Sequence, residues 1–336
     1  MGDFKISVEQ YRGDSYDIGY QQGQQIDRSL LVMYSNIINE DDIDLDEMKD
    51  IYTSYAPHLL QELSGIADSM DISLRKAALF SGFGAPGIQG MGCSSMVSHN
   101  VLVRNYDFSP EVYDARFVCV QPNEGYASVG HSLHVIGRTE GVNEKGLAVA
   151  LHFVNNKDTQ TGLTAASVIR IILDTCKNTQ EAVNVIKQLP HSWSYNFSIG
   201  DAEGNAVVVE ESPLDIKVRK SEEILFCTNH FQRQDMSILN RENLEGTQER
   251  LNYLSHRHFE DMNEKEIFNL FITDTPLYTE EYHEFFGTLH TFAYSFDDNK
   301  VLTAIPGGKM LEINFSEWVN GKDLNQREIS GHLNHY

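Results

Sequence analysis

The sequence predicts an α+β protein, a four-layer αββα sandwich of two antiparallel sheets led by a helical N-terminal segment. Two observations carry this expectation. Short alternating segments fall into two groups separated by a pair of helical runs, and a stretch with helical spacing precedes the first group. A glycine-rich stretch divides the two parts, placing a helical segment at 1–92 and the sandwich at 93–336.

From Asp17 to about Met70 apolar residues recur every three or four positions without Val-rich alternation, which predicts two or three helices and an all-helical lead. It ends in Ser81-Gly82-Phe83-Gly84-Ala85-Pro86-Gly87-Ile88-Gln89-Gly90-Met91-Gly92, where five glycines and a proline exclude helix and regular strand. Alternating strands follow at 94–98, 101–106, 115–121, 126–136 and 147–154. Helical spacing returns at 164–176 and 178–189, the second run opening with Asn178 as N-cap and Glu181 completing a capping box, and stopping at Pro190. A hairpin is expected at 195–200 and 206–211, with 224–228 as its neighbour. Helices at 239–256 and 264–272 precede late strands at 288–296, 301–305 and 311–315, and no internal repeat is evident.

Composition removes several function classes. Hydrophobic content of 41%, aromatic content of 10% and only 8 prolines describe an ordinary folded chain. The 26 Lys and Arg against 49 Asp and Glu give a formal charge of -23, which repels phosphate backbones and anionic membranes. Nucleic acid and membrane partners are therefore not expected. Residues 1–30 lack a basic region followed by an apolar one, and no stretch reaches the roughly 18 apolar residues of a membrane span, so a cytoplasmic address is expected.

The four cysteines form no CxxC pair, which excludes zinc knuckles and thioredoxin-like motifs. Cys119, Cys176 and Cys227 lie in apolar surroundings typical of inert buried thiols. Cys93 differs, because Gly92 precedes it at a junction of loop and strand. There the backbone has the freedom to bring the thiol onto the Gly92 carbonyl carbon. Attack would give a thioester by an N-to-S acyl shift, and its hydrolysis would leave Cys93 with a free α-amine beside its thiol. Such an amine has a reference pKa of about 7.7–8.0, suited to a general base, so no catalytic histidine is required.

After Gly92-Cys93-Ser94-Ser95-Met96-Val97 and a short turn, Val101-Leu102-Val103-Arg104-Asn105-Tyr106-Asp107-Phe108 supplies a hairpin partner. Arg104 suits stabilisation of a thiolate and Asp107 suits orientation of an ammonium, although the two equally describe a solvated ion pair. These Gly-Cys and Arg-Asn-Tyr-Asp-Phe elements resemble the acyl-CoA:6-aminopenicillanic acid acyltransferase family of self-processing N-terminal-nucleophile hydrolases. The choloylglycine hydrolase and penicillin V acylase family is more distantly similar. Gly13-Asp14-Ser15-Tyr16-Asp17-Ile18-Gly19-Tyr20-Gln21-Gln22-Gly23, Gly141-Val142-Asn143-Glu144-Lys145-Gly146-Leu147 and Cys227-Thr228-Asn229-His230-Phe231 follow in family order.

The resemblance implies an N-terminal-nucleophile fold and a zymogen cut between Gly92 and Cys93, its lead retained after cleavage. It implies Cys93 as nucleophile, Arg104 and Asp107 as electrostatic neighbours, and Asn229 as side-chain donor to the tetrahedral oxyanion, with Arg250 carried over as well. A second, backbone donor would fall near His152. The long lead favours the acyltransferase branch. Leu151-His152-Phe153 stands where the bile salt branch has Asn, which argues against bile salt specificity. The implied substrate is a small linear N-acyl amide, hydrolysed or used for acyl transfer. No cofactor and no metal are implied, and a homo-oligomer stays open.

Two rival readings differ in class. A papain-like thiol hydrolase needs a distant histidine, and 13 histidines supply candidates, but its Cys-Gly-x-Cys-Trp signature does not surround Cys93. A non-catalytic binding protein could use the same fold with an unreactive Cys93. Metal ligation by His131 and His134, or His256 and His258, is set aside, since an i, i+3 pair on a strand faces opposite sides. Surface histidines are expected at these positions.

Overall fold

A computed structural model describes residues 2–85, 92–156, 159–221, 223–284 and 286–334. The expected glycine loop is thereby described only to Ala85, and its residues 86–91 lie outside the described part. The lead opens with a strand, β1 (Gly2–Gly13), which the all-helical expectation passes over. Phe4, Ile6 and Val8 alternate with polar residues and Ile6 and Val8 are buried, so β1 has the two-sided pattern of a strand. Helices α1 (Ser15–Gln25), α2 (Arg28–Ile37), α3 (Leu45–Tyr55), α4 (Pro57–Met70) and α5 (Leu74–Ala77) follow, more than the two or three expected. Asp14, Asp27, Asp44 and Ser73 cap the starts of α1, α2, α3 and α5 through their side chains.

The body begins with β2 (Gly92–Val97), β3 (Val101–Phe108), β4 (Arg116–Pro122), β5 (Ser128–Leu133), β6 (Gly137–Arg138), β7 (Glu140–Asn143) and β8 (Ala148–Phe153). Then come α6 (Ala165–Thr175), α7 (Thr179–Ile186), β9 (Tyr195–Gly200), β10 (Ala206–Glu211), β11 (Ile216–Lys220) and β12 (Leu225–Cys227). The chain closes with α8 (Glu245–Ser255), α9 (Glu264–Thr273), β13 (Glu280–Glu281), β14 (Phe286–Ser295), β15 (Lys300–Ala304), β16 (Leu311–Asn314), α10 (Phe315–Val319) and β17 (Glu328–Leu333). Asn178 caps α7 as expected, but no capping box forms, because the Glu181 carboxylate accepts from Lys177 N–H at 2.9 Å. The helix expected from 239 starts only at Glu245.

Among the described residues the strands form two sheets. The first runs β11-β10-β9-β8-β7-β5-β4-β1-β17, and the second β12-β2-β3-β14-β15-β16. The expected hairpin β9–β10 forms, yet β12 is no neighbour of it. It pairs instead with β2 in the other sheet, Cys227 opposite Ser95. Pairing between these strands is antiparallel except for β1 with β4, which is parallel from Ser7–Arg116 to Gly13–Pro122. The faces follow from the two-residue period. Cys93, Ser95 and Val97 turn toward the first sheet, as the Ser95–Ser198 hydroxyl contact of 2.8 Å requires. On the opposite face Met96, Val103, Ala293 and Leu302 pack with Ile267, Phe268 and Phe271 of α9.

The lead is tied to the first sheet and to its helical layer by buried ion pairs. Arg170 of α6 holds Glu62 of α4 at 2.6 Å and Asp174 at 2.9 Å, and Arg116 of β4 holds Glu9 of β1 at 2.6 Å. Removing one partner of such a pair typically costs about 3–5 kcal/mol, because the other charge is left buried. Gly19 and Gly65 let α1 and α4 touch backbone to backbone. A Cβ at Gly65 would fall 2.1 Å from Tyr16 O, and one at Gly19 1.9 Å from Glu62 O. No helix among the described residues is long and apolar enough to cross a membrane.

Candidate active site

Gly92 and Cys93 lie in β2, against β3, with Gly92 opposite Asp107, Cys93 opposite Tyr106 and Ser95 opposite Arg104. This register puts Arg104 on the thiol's face of the sheet and Asp107 on the other. Gly92 is thus already in the strand. What it supplies is space, since a Cβ there would lie 2.9 Å from Asp107 Oδ2.

The thiol is fully buried, and Arg104 Nη2 donates to its sulfur at 3.2 Å. The same nitrogen donates to Leu151 O at 3.0 Å, and the guanidinium lies 4.5 Å from the Tyr106 ring centre. Burial pushes the Cys93 thiol up, against the pull of Arg104 and Arg250. Asp107 accepts from Thr288 Oγ1 at 2.8 Å and lies 3.8 Å from Arg250 Nη1. Burial raises its carboxyl to about 6 despite Arg250, Thr288 and Arg104.

Asn229 follows the short strand β12, which places it beside the start of β2. Its Oδ1 accepts the Cys93 backbone N–H at 2.7 Å and Arg250 Nη2 at 2.9 Å, while its Nδ2 donates to Phe153 O at 2.9 Å. Arg250, on the inward side of α8, also donates through Nη1 to Cys93 O at 2.6 Å and Ser94 Oγ at 3.0 Å. Five of the six expected residues therefore converge on one strand start: Cys93, Arg104, Asp107, Asn229 and Arg250.

The sixth, His152, belongs to the neighbouring wall. Its ring Nδ1 faces Asn196 O at 3.4 Å, its Nε2 is buried with no hydrogen-bond partner among the described residues, and burial holds the ring well below its ordinary pKa. Its backbone orientation follows from strand pairing. Val154 N–H donates to Ser194 O, and Leu151 N–H to Thr139 O on the other side. Alternation then sends His152 N–H toward β9 and Phe153 N–H away from it, the direction in which Phe153 O meets Asn229. Among the backbone N–H groups near His152, that of Phe153 thus points to the side on which Asn229 lies.

Histidines also correct a sequence expectation. His256 and His258 are exposed as expected, but His131 is fully buried and His134 nearly so. His131 Nδ1 lies 2.6 Å from Glu140 Oε1, inside the sandwich rather than at its surface. Glu140, whose carboxylate also takes Arg104 Nη1, is the site neighbour that sequence reasoning missed. It stands directly before the Gly141-Val142-Asn143 element, with no spacing signal of its own. Cys119, Cys176 and Cys227 are buried free thiols, as read from their surroundings.

The sequence matches the family described as acyl-coenzyme A:6-aminopenicillanic acid acyl-transferase over residues 96–309. The chain belongs to this family. The matched segment contains Arg104, Asp107, His152, Asn229 and Arg250, and begins three residues after Cys93. Membership makes it an enzyme of the N-terminal-nucleophile type, a hydrolase or acyltransferase acting on amides. Penicillin V acylase from Agrobacterium tumefaciens is similar in structure at 14% identity and TM-score 0.45, over 67% of this chain and 86% of that one. A mutant of conjugated bile acid hydrolase from Clostridium perfringens aligns at 13% identity and TM-score 0.44, over 73% and 97%. The Caenorhabditis elegans ortholog of N-acylethanolamine-hydrolyzing acid amidase aligns at 16% identity and TM-score 0.42, over 61% and 93%. No curated protein matches the sequence significantly.

Proposed function

We propose that the enzyme cuts itself between Gly92 and Cys93 and then cleaves a small linear N-acyl amide through a Cys93 thioester, releasing or transferring the acyl group. The observation that supports this most is the double hold on Cys93: Arg104 at its sulfur and Asn229 Oδ1 at its backbone nitrogen. In processing, Sγ attacks the Gly92 carbonyl carbon and the Gly92–Cys93 C–N bond breaks. Water then hydrolyses the thioester, leaving a Gly92 carboxylate and a free Cys93 thiol and amine. Asn229 Oδ1, which accepts the peptide N–H before cleavage, accepts the α-amine afterwards and fixes it next to its own thiol.

In turnover the α-amine takes the thiol proton, the thiolate attacks the substrate carbonyl, and the amine leaves with that proton. The developing oxyanion takes the second Asn229 Nδ2 hydrogen and the Phe153 N–H, donors that keep their charge state throughout. Asp107, opposite Gly92, and Arg250, on Cys93 O, hold the new terminus in place. Water or an amine then accepts the acyl group. Hydrolysis is the default reaction, and 6-aminopenicillanic acid with an acyl-coenzyme A, named in the family's description, is the transfer pair to try first.

Cys93→Ala tests the reading. Its chain stays whole in denaturing mass spectrometry and is inactive on N-acyl amides, whereas the native chain yields fragments 1–92 and 93–336. Turnover by Cys93→Ala, or an active native protein of intact mass, ends this proposal.

A further inference from the structure

Glu140 sits fully buried at the start of β7, where the first sheet faces the second. Its carboxylate collects donors from both. His131 Nδ1 of β5 lies 2.6 Å from Oε1. At Oε2 stand Thr139 Oγ1 at 2.9 Å, His290 Nε2 of β14 at 3.1 Å, and Arg104 Nη1 of β3. The far nitrogens of the two rings also meet hydroxyls: Thr303 Oγ1 lies 3.2 Å from His131 Nε2, and Tyr113 OH 2.9 Å from His290 Nδ1. The rings themselves stack at 3.6 Å between centres.

This arrangement fixes every proton. An ionised Glu140 accepts only, so His131 carries its hydrogen on Nδ1 and His290 on Nε2, and the outward nitrogens accept from Thr303 and Tyr113. Two imidazolium rings could not stack at that distance without repulsion, and burial lowers both rings, His290 to about 3. Burial alone would raise Glu140, but His290, Arg104 and His131 together hold it well below the carboxylate range. The cluster therefore contains one cation, one anion and two neutral rings. Among the described residues Glu140 is the only carboxylate hydrogen-bonded to Arg104.

We propose that Glu140, held at the edges of the stacked His131 and His290 rings by one nitrogen of each, is the positioning residue that aims the Arg104 guanidinium at the Cys93 sulfur. Arg104 has two nitrogens at its tip. Glu140 takes one, which leaves the other directed at Sγ and Leu151 O. His131, Glu140 and His290 also bring one ligand atom each within 4.8 Å, the spacing of a metal site. Their chemistry points the other way, because both ring nitrogens facing Glu140 are protonated donors and Arg104 adds a permanent positive charge beside them.

The inference rests on Cys93 being the nucleophile, so its test reads the thiol without requiring turnover. The rate of Cys93 alkylation by iodoacetamide is followed against pH by peptide mass spectrometry, with the cleaved fraction taken from the same spectra. Glu140→Gln is expected to move the profile upward by about one unit, a roughly tenfold loss of thiolate at neutral pH, because the freed guanidinium no longer keeps its N–H on sulfur. In the Arg104→Ala background the same substitution is expected to change the rate less than about twofold, since Glu140 acts only through Arg104. His290→Leu repeats the shift, and His290→Gln, which keeps an N–H toward Glu140, recovers most of it. This pair decides the matter should Glu140→Gln not fold. An unmoved profile in Glu140→Gln, an equal effect without Arg104, or stoichiometric metal in the native protein that Glu140→Gln loses would each overturn the proposal. An uncut, inactive native chain would instead sink the reading of function, while the alkylation profile still reports on Glu140.

Discussion

Asp107 is the site residue whose charge state is least settled by its type. Its carboxyl is raised to about 6 by burial, above the ordinary Asp value of 3.8, so the folded protein holds its proton more tightly than the unfolded chain. The stability this contributes is complete below about pH 4 and is lost as pH rises through about 6. Asp107→Asn removes the titration, so relative to the native residue it stabilises more at pH 7 than at pH 4, by roughly 3 kcal/mol at most. Denaturation midpoints of both proteins at the two pH values check this, and a difference that stays constant with pH shows the carboxyl to be unperturbed. The sequence made Cys93, Arg104 and Asp107 legible as one hairpin, because β2 and β3 are neighbours in the chain. Asn229 and Arg250 were reachable only through resemblance, since nothing in spacing brings residue 229 to residue 93. Glu140 was legible by neither route. Its partners come from three other strands and from Thr139 beside it, and a lone acid before Gly141 carries no pattern.

Elements were readable where they were long and regular. β3, β8, β9, β10, α6 and α9 fall close to their expected limits because alternation or helical spacing runs their whole length. The four-residue β7 is too short and contains Gly141, and the neighbour assigned to β12 was wrong because its pairing with β2 is non-local. The α1–α4 pair shows what spacing alone could not: two glycines on facing helices serve close approach and not flexibility. Gly65→Ala inserts a methyl against backbone, where no side-chain rotation relieves it. Destabilisation of roughly 1–3 kcal/mol is expected in chemical denaturation. Because Glu62 of α4 grips Arg170 at 2.6 Å, the lead should also loosen from the first sheet, seen as faster amide exchange in α1 and α4. Unchanged stability would mean that the two helices can separate freely.

At the scale of the molecule, the lead is not a cap laid over a finished enzyme. β1 lies between β4 and β17, and Glu9 and Glu62 neutralise arginines of the body, so the first sheet is built from both sides of the proposed cut. Fragments 1–92 and 93–336 are therefore expected to co-elute in native size-exclusion chromatography and to part only in denaturant. Separation without denaturant would contradict this pairing. The register that seats β1 has one more effect. Gly2 lies opposite Leu333, so the first and last strands end side by side. A short linker could join them, and the chain could be reopened where the peptide is proposed to break. Such a circular permutant would start at Cys93 once its initiating methionine is removed, presenting the α-amine by translation. It should fold and turn over N-acyl amides without any cleavage, and remain active with Gly92 replaced or absent. A folded but inactive permutant would show that the act of cutting, and not the new terminus alone, prepares the site.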